Sequence, residues 1–241
     1  MFPLRIFACR RRVALPSYGY HRKPVQRLRA AVFVGVICGA LAATHSAIAA
    51  DRPVKIVAFG DSLTAGYGLP AQEAFPAKLE AALKAKGINV EIGNAGVSGD
   101  TASGGLARLD WSVPEGTDGV ILELGANDAL RGIDPKVTRA ALEKIVQQLR
   151  ARKIEVLLCG MRSPRNLGAD YAQTFDSIFP DIAASHKLVL YPFFLDGVAV
   201  DPKFTLGDGL HPNTAGVDMI VGRILPKTEE LIARIRAKPA A

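Results

Sequence analysis

Ser62 is the residue around which chemistry can be organised. The apolar run Val54 to Phe59 breaks at Gly60 and delivers a hydroxyl into the turn Gly60-Asp61-Ser62-Leu63. An alcohol is a poor nucleophile at neutral pH and needs an adjacent base to take its proton. The segment Asp208-Gly-Leu-His211 offers one, because imidazole is the side chain that takes up and returns protons near neutrality. Asp208, three residues earlier on the same turn, can accept a hydrogen bond from Nδ1 of His211 and fix the tautomer that presents Nε2 to Ser62. Two more polar or glycine clusters, Asn94 to Asp100 and Gly125-Ala-Asn127-Asp128, also follow strand-like runs.

Each piece also has a plainer reading. A serine after a strand is more often the cap of the next helix, and Asp208 with His211 fits a surface turn before a helix. Asn127 fits a helix cap, and Gly99 fits a turn residue at positive φ. Joint occurrence changes the balance, since unrelated structural needs rarely place all four in this order.

In this arrangement the chain resembles the SGNH hydrolases, the GDSL esterase/lipase family. Gly60-Asp61-Ser62-Leu63, the Asn94 to Gly99 loop, Gly-x-Asn-Asp at Gly125 to Asp128 and Asp-x-x-His at Asp208 to His211 match its four blocks. Gly99-Asp100-Thr101, Gly105 to Leu109 and Glu123 to Gly132 are most similar to the bacterial thioesterase I/lysophospholipase/arylesterase branch. The resemblance implies Ser62, Asp208 and His211 as catalytic residues. It further implies an oxyanion hole made of the Ser62 and Gly99 N–H groups and the Asn127 amide. Asp61, Asn94 and Asp128 read as structural, binding loop backbone. Tyr67, Leu69, Leu130, Ile133 and Leu167, in loops beyond the motifs, either line an acyl groove or pack those loops down.

Other signatures are missing. Thr64 stands where the Gly-x-Ser-x-Gly elbow requires glycine. There is no Gly-rich phosphate loop with lysine and no cluster with metal-ligand spacing. A serine hydrolase acting on carboxylic esters or thioesters through an acyl-enzyme, without cofactor or metal, is the expectation. A carbohydrate O-deacetylase would use the same machinery. A non-catalytic binding module with Asp61 and Asp128 as an acidic pocket is the reading from another class.

The net charge of +7 points toward nucleic acid until it is divided along the chain. Residues 1–49 carry eight Arg or Lys and no acid, leaving 22 basic against 23 acidic residues beyond them. The basic character therefore belongs to the leader, and nucleic acid is not an expected partner. That leader has a basic region, the apolar run Ala30 to Ala43 and the small-residue site Ala47-Ile48-Ala49. These are the parts of a secretory signal cleaved after Ala49. Its apolar run falls short of the ~20 residues that span a bilayer, so an exported, periplasmic or secreted protein without a membrane span is expected. Cys159 is the one cysteine beyond the leader, which excludes an internal disulfide in residues 50–241. That stretch suits one α/β domain, and a monomer is expected.

The elements that must position these residues alternate strand and helix, which predicts a single flavodoxin-like three-layer α/β/α domain with a mostly parallel five-stranded sheet. Strands are predicted at Val54 to Phe59, Ile88 to Ile92, Gly119 to Leu124, Ile154 to Cys159 and Leu188 to Tyr191. Helices are predicted over Ala74 to Lys86, from Asp100 or Thr101 to Leu109, and after Asp134-Pro135 with the stripe Leu142, Ile145, Val146, Leu149. Tyr171 to His186 reads as a helix interrupted or ended near Pro180. Thr214 to Arg236 reads as a helix capped by Asn213, with Pro226 predicting a kink or break. Gly104-Gly105 weakens the second helix.

Overall fold

The computed structural model describes residues 52–238. The predicted leader and its cleavage site lie outside the described residues. Five strands form one all-parallel sheet: β1 (Val54–Gly60), β2 (Val90–Gly96), β3 (Gly119–Glu123), β4 (Glu155–Cys159) and β5 (Val189–Tyr191), in the order β2-β1-β3-β4-β5. β3 is buried along its whole length and β1 at every position but Lys55. Helices covering both faces exclude water from the central strands, which is why their sequences are continuous apolar runs without alternation.

Ala74 leads into α2 (Phe75–Ala85), which returns the chain from β1 to β2. Between β1 and α2 lies the four-residue α1 (Ser62–Ala65). α3 (Ala102–Ser112), α5 (Pro135–Ala151) and α7 (Ile178–His186) connect the later strands, and α8 (Thr214–Arg236) closes the described chain. α8 packs beside α2, while α3 packs beside α5. A three-layer α/β/α sandwich results. In α5, Leu142, Ile145, Val146 and Leu149 are fully buried, as their spacing predicts.

The strand order reverses between β1 and β3, because the chain leaves β1 toward β2 on one side and later returns to place β3 on the other. At such a switch point the connections after the two strands diverge to opposite faces and leave a crevice. Ser62 follows β1 and Asn127 follows β3, in the five-residue α4 (Ala126–Leu130), so the fold directs both to that crevice.

Three predicted elements differ. β2 spans Val90–Gly96 and not Ile88 to Ile92, since parallel pairing with β1 runs through to Gly60 opposite Gly96 and draws Asn94, Ala95 and Gly96 into the strand. The helix predicted over Tyr171 to His186 is two helices, α6 (Ala169–Asp176) and α7, broken at Ser177. Pro180 explains the offset: its ring excludes the carbonyl four residues back, at Asp176, while its missing N–H costs nothing in the first turn of α7. α8, conversely, runs unbroken through Pro226. Burial of Ile220, Ile224, Leu231 and Ile232 outweighs the ~3 kcal/mol cost of an interior proline. Among the described residues, no helix is long and apolar enough to cross a membrane.

Candidate active site

The site begins with close approach at the end of β1. A Cβ on Gly60 would collide with Thr64 Oγ1 and with the Glu123 carbonyl and carboxylate, so only glycine lets β1 turn directly against β3. Asp61 then caps α1, its Oδ1 accepting from the Leu63 N–H at 3.0 Å. The capping role open to Ser62 is thus taken by its neighbour, and the serine occupies the first helical position with its hydroxyl free for another partner.

That partner is His211. Its Nε2 lies 2.9 Å from Ser62 Oγ, and its Nδ1 lies 2.6 Å from Asp208 Oδ2. Asp208 Oδ1 accepts from the backbone N–H groups of Leu210 (2.9 Å) and His211 (3.0 Å). These hydrogen bonds, from the His211 backbone first and then its side chain and Leu210, hold the Asp208 carboxyl down at about 2. It stays ionised and fixes Nδ1 as the protonated nitrogen, leaving Nε2 as acceptor toward the serine. The loop carrying them is pinned by a bridge between Thr205 and Pro212 and by the Leu206 N–H donating to His211 O at 2.7 Å. Asn213 then caps α8 through the Gly216 N–H. Tyr67 covers the imidazole, with ring centroids 4.4 Å apart.

Asn127 sits in α4, where Gly125 and not Asn127 is the cap. Its Nδ2 donates to Asp61 Oδ2 at 3.0 Å, which fixes which end of the amide carries nitrogen. An amide nitrogen has two protons, so one remains for a ligand. Gly99 lies in the turn after β2 at φ 84°, and its carbonyl accepts from Arg131 Nη2 at 2.8 Å. Ser62, His211 and Asp208 are therefore joined through hydrogen bonds, while Asn127 is held to Asp61, the neighbour of Ser62 in sequence. Gly99 lies on the adjoining loop, whose Val97 N–H donates to Gly60 O at 3.0 Å.

The five apolar candidates separate. Tyr67, Leu130 and Leu167 are exposed, whereas Leu69 packs on the core and Ile133 is half-buried with its carbonyl held by the Tyr171 hydroxyl. Leu210, between Asp208 and His211, is a further exposed apolar side chain beside the site. Asn94 and Asp128 serve structure: Asn94 donates to Ala65 O and accepts from the Gly96 N–H, and Asp128 accepts from Ala102 N–H and Thr138 Oγ1.

The residue missed from sequence is Glu123. It ends β3 fully buried, and its Oε2 accepts from Thr64 Oγ1 at 2.7 Å and faces the Asp61 N–H at 3.4 Å. Burial, reinforced by the nearby Asp61 charge, pushes its carboxyl well above the usual range. Burial likewise raises Asp61 to about 6. An acid closing an otherwise apolar strand, Gly119-Val-Ile-Leu-Glu123, was the signal available. Among the described residues, no group of three or more His, Cys, Asp or Glu is placed to hold a metal.

Residues 58–219 match the family model described as GDSL-like Lipase/Acylhydrolase family. An arylesterase of Vibrio mimicus is 39% identical over 165 residues, covering 68% of this chain and 82% of that protein. Thioesterase 1/protease 1/lysophospholipase L1 of Escherichia coli (strain K12) is 36% identical over 190 residues, covering 78% and 88%. Among solved structures, AlinE4, an SGNH-hydrolase family esterase, is 45% identical with a TM-score of 0.63 and covers 78% of this chain and 98% of its own.

Proposed function

Because this chain belongs to the GDSL-like lipase/acylhydrolase family and is a serine esterase, we propose that Ser62 is its nucleophile, His211 its general base and acid, and Asp208 the group that orients the imidazole. The observation that carries this assignment is the continuous relay Ser62 Oγ, His211 Nε2, His211 Nδ1, Asp208 Oδ2 at 2.9 and 2.6 Å. As Oγ attacks the ester carbonyl, its proton passes to Nε2, and the Asp208 carboxylate stabilises the imidazolium. The oxyanion is met by the N–H groups of Ser62 and Gly99 and by the Asn127 Nδ2 proton that Asp61 leaves free. Collapse expels the alcohol or thiol, which takes the proton from Nε2. Water then enters with the same base and releases the acid from Ser62.

The substrates are acyl esters and thioesters. The exposed Tyr67, Leu130, Leu167 and Leu210 offer an apolar border to an acyl chain, and the relatives carry the names arylesterase and thioesterase/lysophospholipase. Fluorophosphonate labelling tests the nucleophile: stoichiometric modification at Ser62 is expected, and an unlabelled serine refutes the assignment. Chain-length profiles with nitrophenyl esters and acyl-CoAs test the acyl preference, and activity confined to acetylated carbohydrate would overturn it. Residues 1–49 are proposed as an export signal, with N-terminal sequencing expected to begin at Ala50.

A further inference from the structure

Arg108 is a buried cation that the reaction as described does not use. It is 5% exposed, on the face of α3 turned toward the sheet. Its Nη2 donates to Gly60 O at 2.8 Å, its Nη1 to Ala95 O at 2.9 Å and Ser112 Oγ at 3.1 Å, and its Nε to Asp100 Oδ2 at 2.5 Å. The guanidinium carbon also lies 4.3 Å from the centre of the Phe59 ring. Gly105 makes this reach possible. A Cβ there would drive into the Leu124 side chain, so the glycine that weakened the predicted helix allows α3 to lie close on the sheet.

What the guanidinium touches decides its meaning. Gly60 is two residues before Ser62, and its carbonyl also accepts from the Val97 N–H of the next loop. Ala95 is the second-to-last residue of β2, and Asp100 directly follows Gly99. One planar fork thus fixes the chain just before the first oxyanion N–H and on both sides of the second. Lysine presents a single point and cannot hold such a set in one plane. Stability alone is a weak reason for this group, since a buried ion pair exchanged for apolar packing is often neutral or stabilising.

We propose that Arg108 is a positioning residue of the esterase reaction, setting the Ser62 and Gly99 peptide groups that receive the oxyanion. The inference rests on the oxyanion assignment given under Proposed function. Losing alignment by a fraction of an ångström there weakens the tetrahedral state more than the bound ester, so the loss falls on kcat.

The test uses Arg108→Lys and Asp100→Asn in the full enzyme, normalised to sites titrated by fluorophosphonate. Each is measured for kcat and KM with a nitrophenyl ester, melting temperature, and inhibition by a trifluoromethyl ketone, which forms an oxyanion on the serine. Arg108→Lys is expected to lower kcat by about 10–100-fold and weaken the ketone in proportion, with KM changed less than about threefold. Asp100→Asn, which keeps an acceptor for Nε, is expected to produce the same pattern at a few-fold. The double variant should lose less than the product of the two. A lowered melting temperature with unchanged kcat per titrated site and unchanged ketone affinity makes Arg108 merely structural and overturns the proposal. If Arg108→Lys does not fold, Asp100→Asn decides by the same two readings. Failure of wild-type labelling at Ser62 would instead refute the underlying site.

Discussion

The two halves of the site are built in opposite ways. On the nucleophile side, Asp61, Ser62, Thr64 and Glu123 are all buried at the ends of central strands, and Asp61 and Thr64 depend on residues some sixty positions away. On the base side, the Asp208 side chain is 36% exposed, and each of its hydrogen bonds comes from within three residues. The electrostatics follow the construction. Burial raises Asp61 to about 6, whereas local donors hold Asp208 at about 2, so one residue type is driven in two directions by environment alone. A reactive hydroxyl needs a rigid seat relative to its oxyanion donors. An ionised orienting acid needs solvent and hydrogen bonds, and a loop supplies both.

Substitutions can break or sharpen this contrast. Ser62→Ala removes the nucleophile, and a kcat loss of about 10⁶ is expected with the melting temperature almost unchanged, because only an oxygen leaves. Asp208→Asn should cost about 10⁴ in kcat through loss of the correct tautomer. Its thermal melt at neutral pH should fall only modestly, since a solvent-screened carboxylate is lost while the amide oxygen can still accept from the Leu210 and His211 N–H groups; a large drop would show that the base loop supports the fold and would dissolve the contrast. Asn127→Ala should lower kcat by about 10²–10³, the effect of one oxyanion donor, with KM nearly constant. An unchanged kcat removes Asn127 from the site.

The smallest effect is a pH signature of stability. Because the folded state raises Asp61 to about 6 above the ordinary ~3.9, the fold binds its proton more tightly than the unfolded chain between those values. Its contribution to stability is therefore full at low pH, falls as pH rises from about 4 to about 6, and is constant above. Glu123, also held well above its usual range, loses stability with the same sign as pH rises, so Asp61→Asn should make that segment of a plot of urea midpoint against pH shallower without abolishing it. Asp208 has the opposite sign: its contribution is present above ~3.9 and lost only as pH falls toward about 2. Asp208→Asn should leave the segment from pH 4 to 6 intact, and its disappearance in that variant would refute the assignment to Asp61.

Much of this was legible from residue types alone. The buried strands β1, β3 and β4 announce themselves as apolar runs, and Asp134-Pro135 marks the start of α5 while its stripe marks the buried face. Ser62, Asp208, His211 and Asn127, the residues proposed for the site, could be singled out because each places a polar group at a strand end or a helix start, with the role of Asn127 supplied by the family resemblance. Less legible were features set by partners distant in sequence. β2 runs to Gly96 only because β1 is there to pair with it, and Pro226 is tolerated because α8 buries its stripe on the sheet.

By itself, then, the sequence determined which chemical groups exist and which local segments carry them: the hydroxyl after β1, the carboxylate three residues before its imidazole, the amide shortly after β3. Local spacing suffices for these because a cap, a tight turn or an i, i+3 contact is set by backbone geometry within a few residues. Tertiary structure decided that Asp61, not Ser62, caps α1, that Glu123 lies buried beneath Thr64, and that Arg108 ties the end of β1 to β2 and to Asp100. Those roles depend on the strand order that places β1 between β2 and β3, and on the dielectric produced when the sheet is covered. Neither quantity resides in any short stretch of chain.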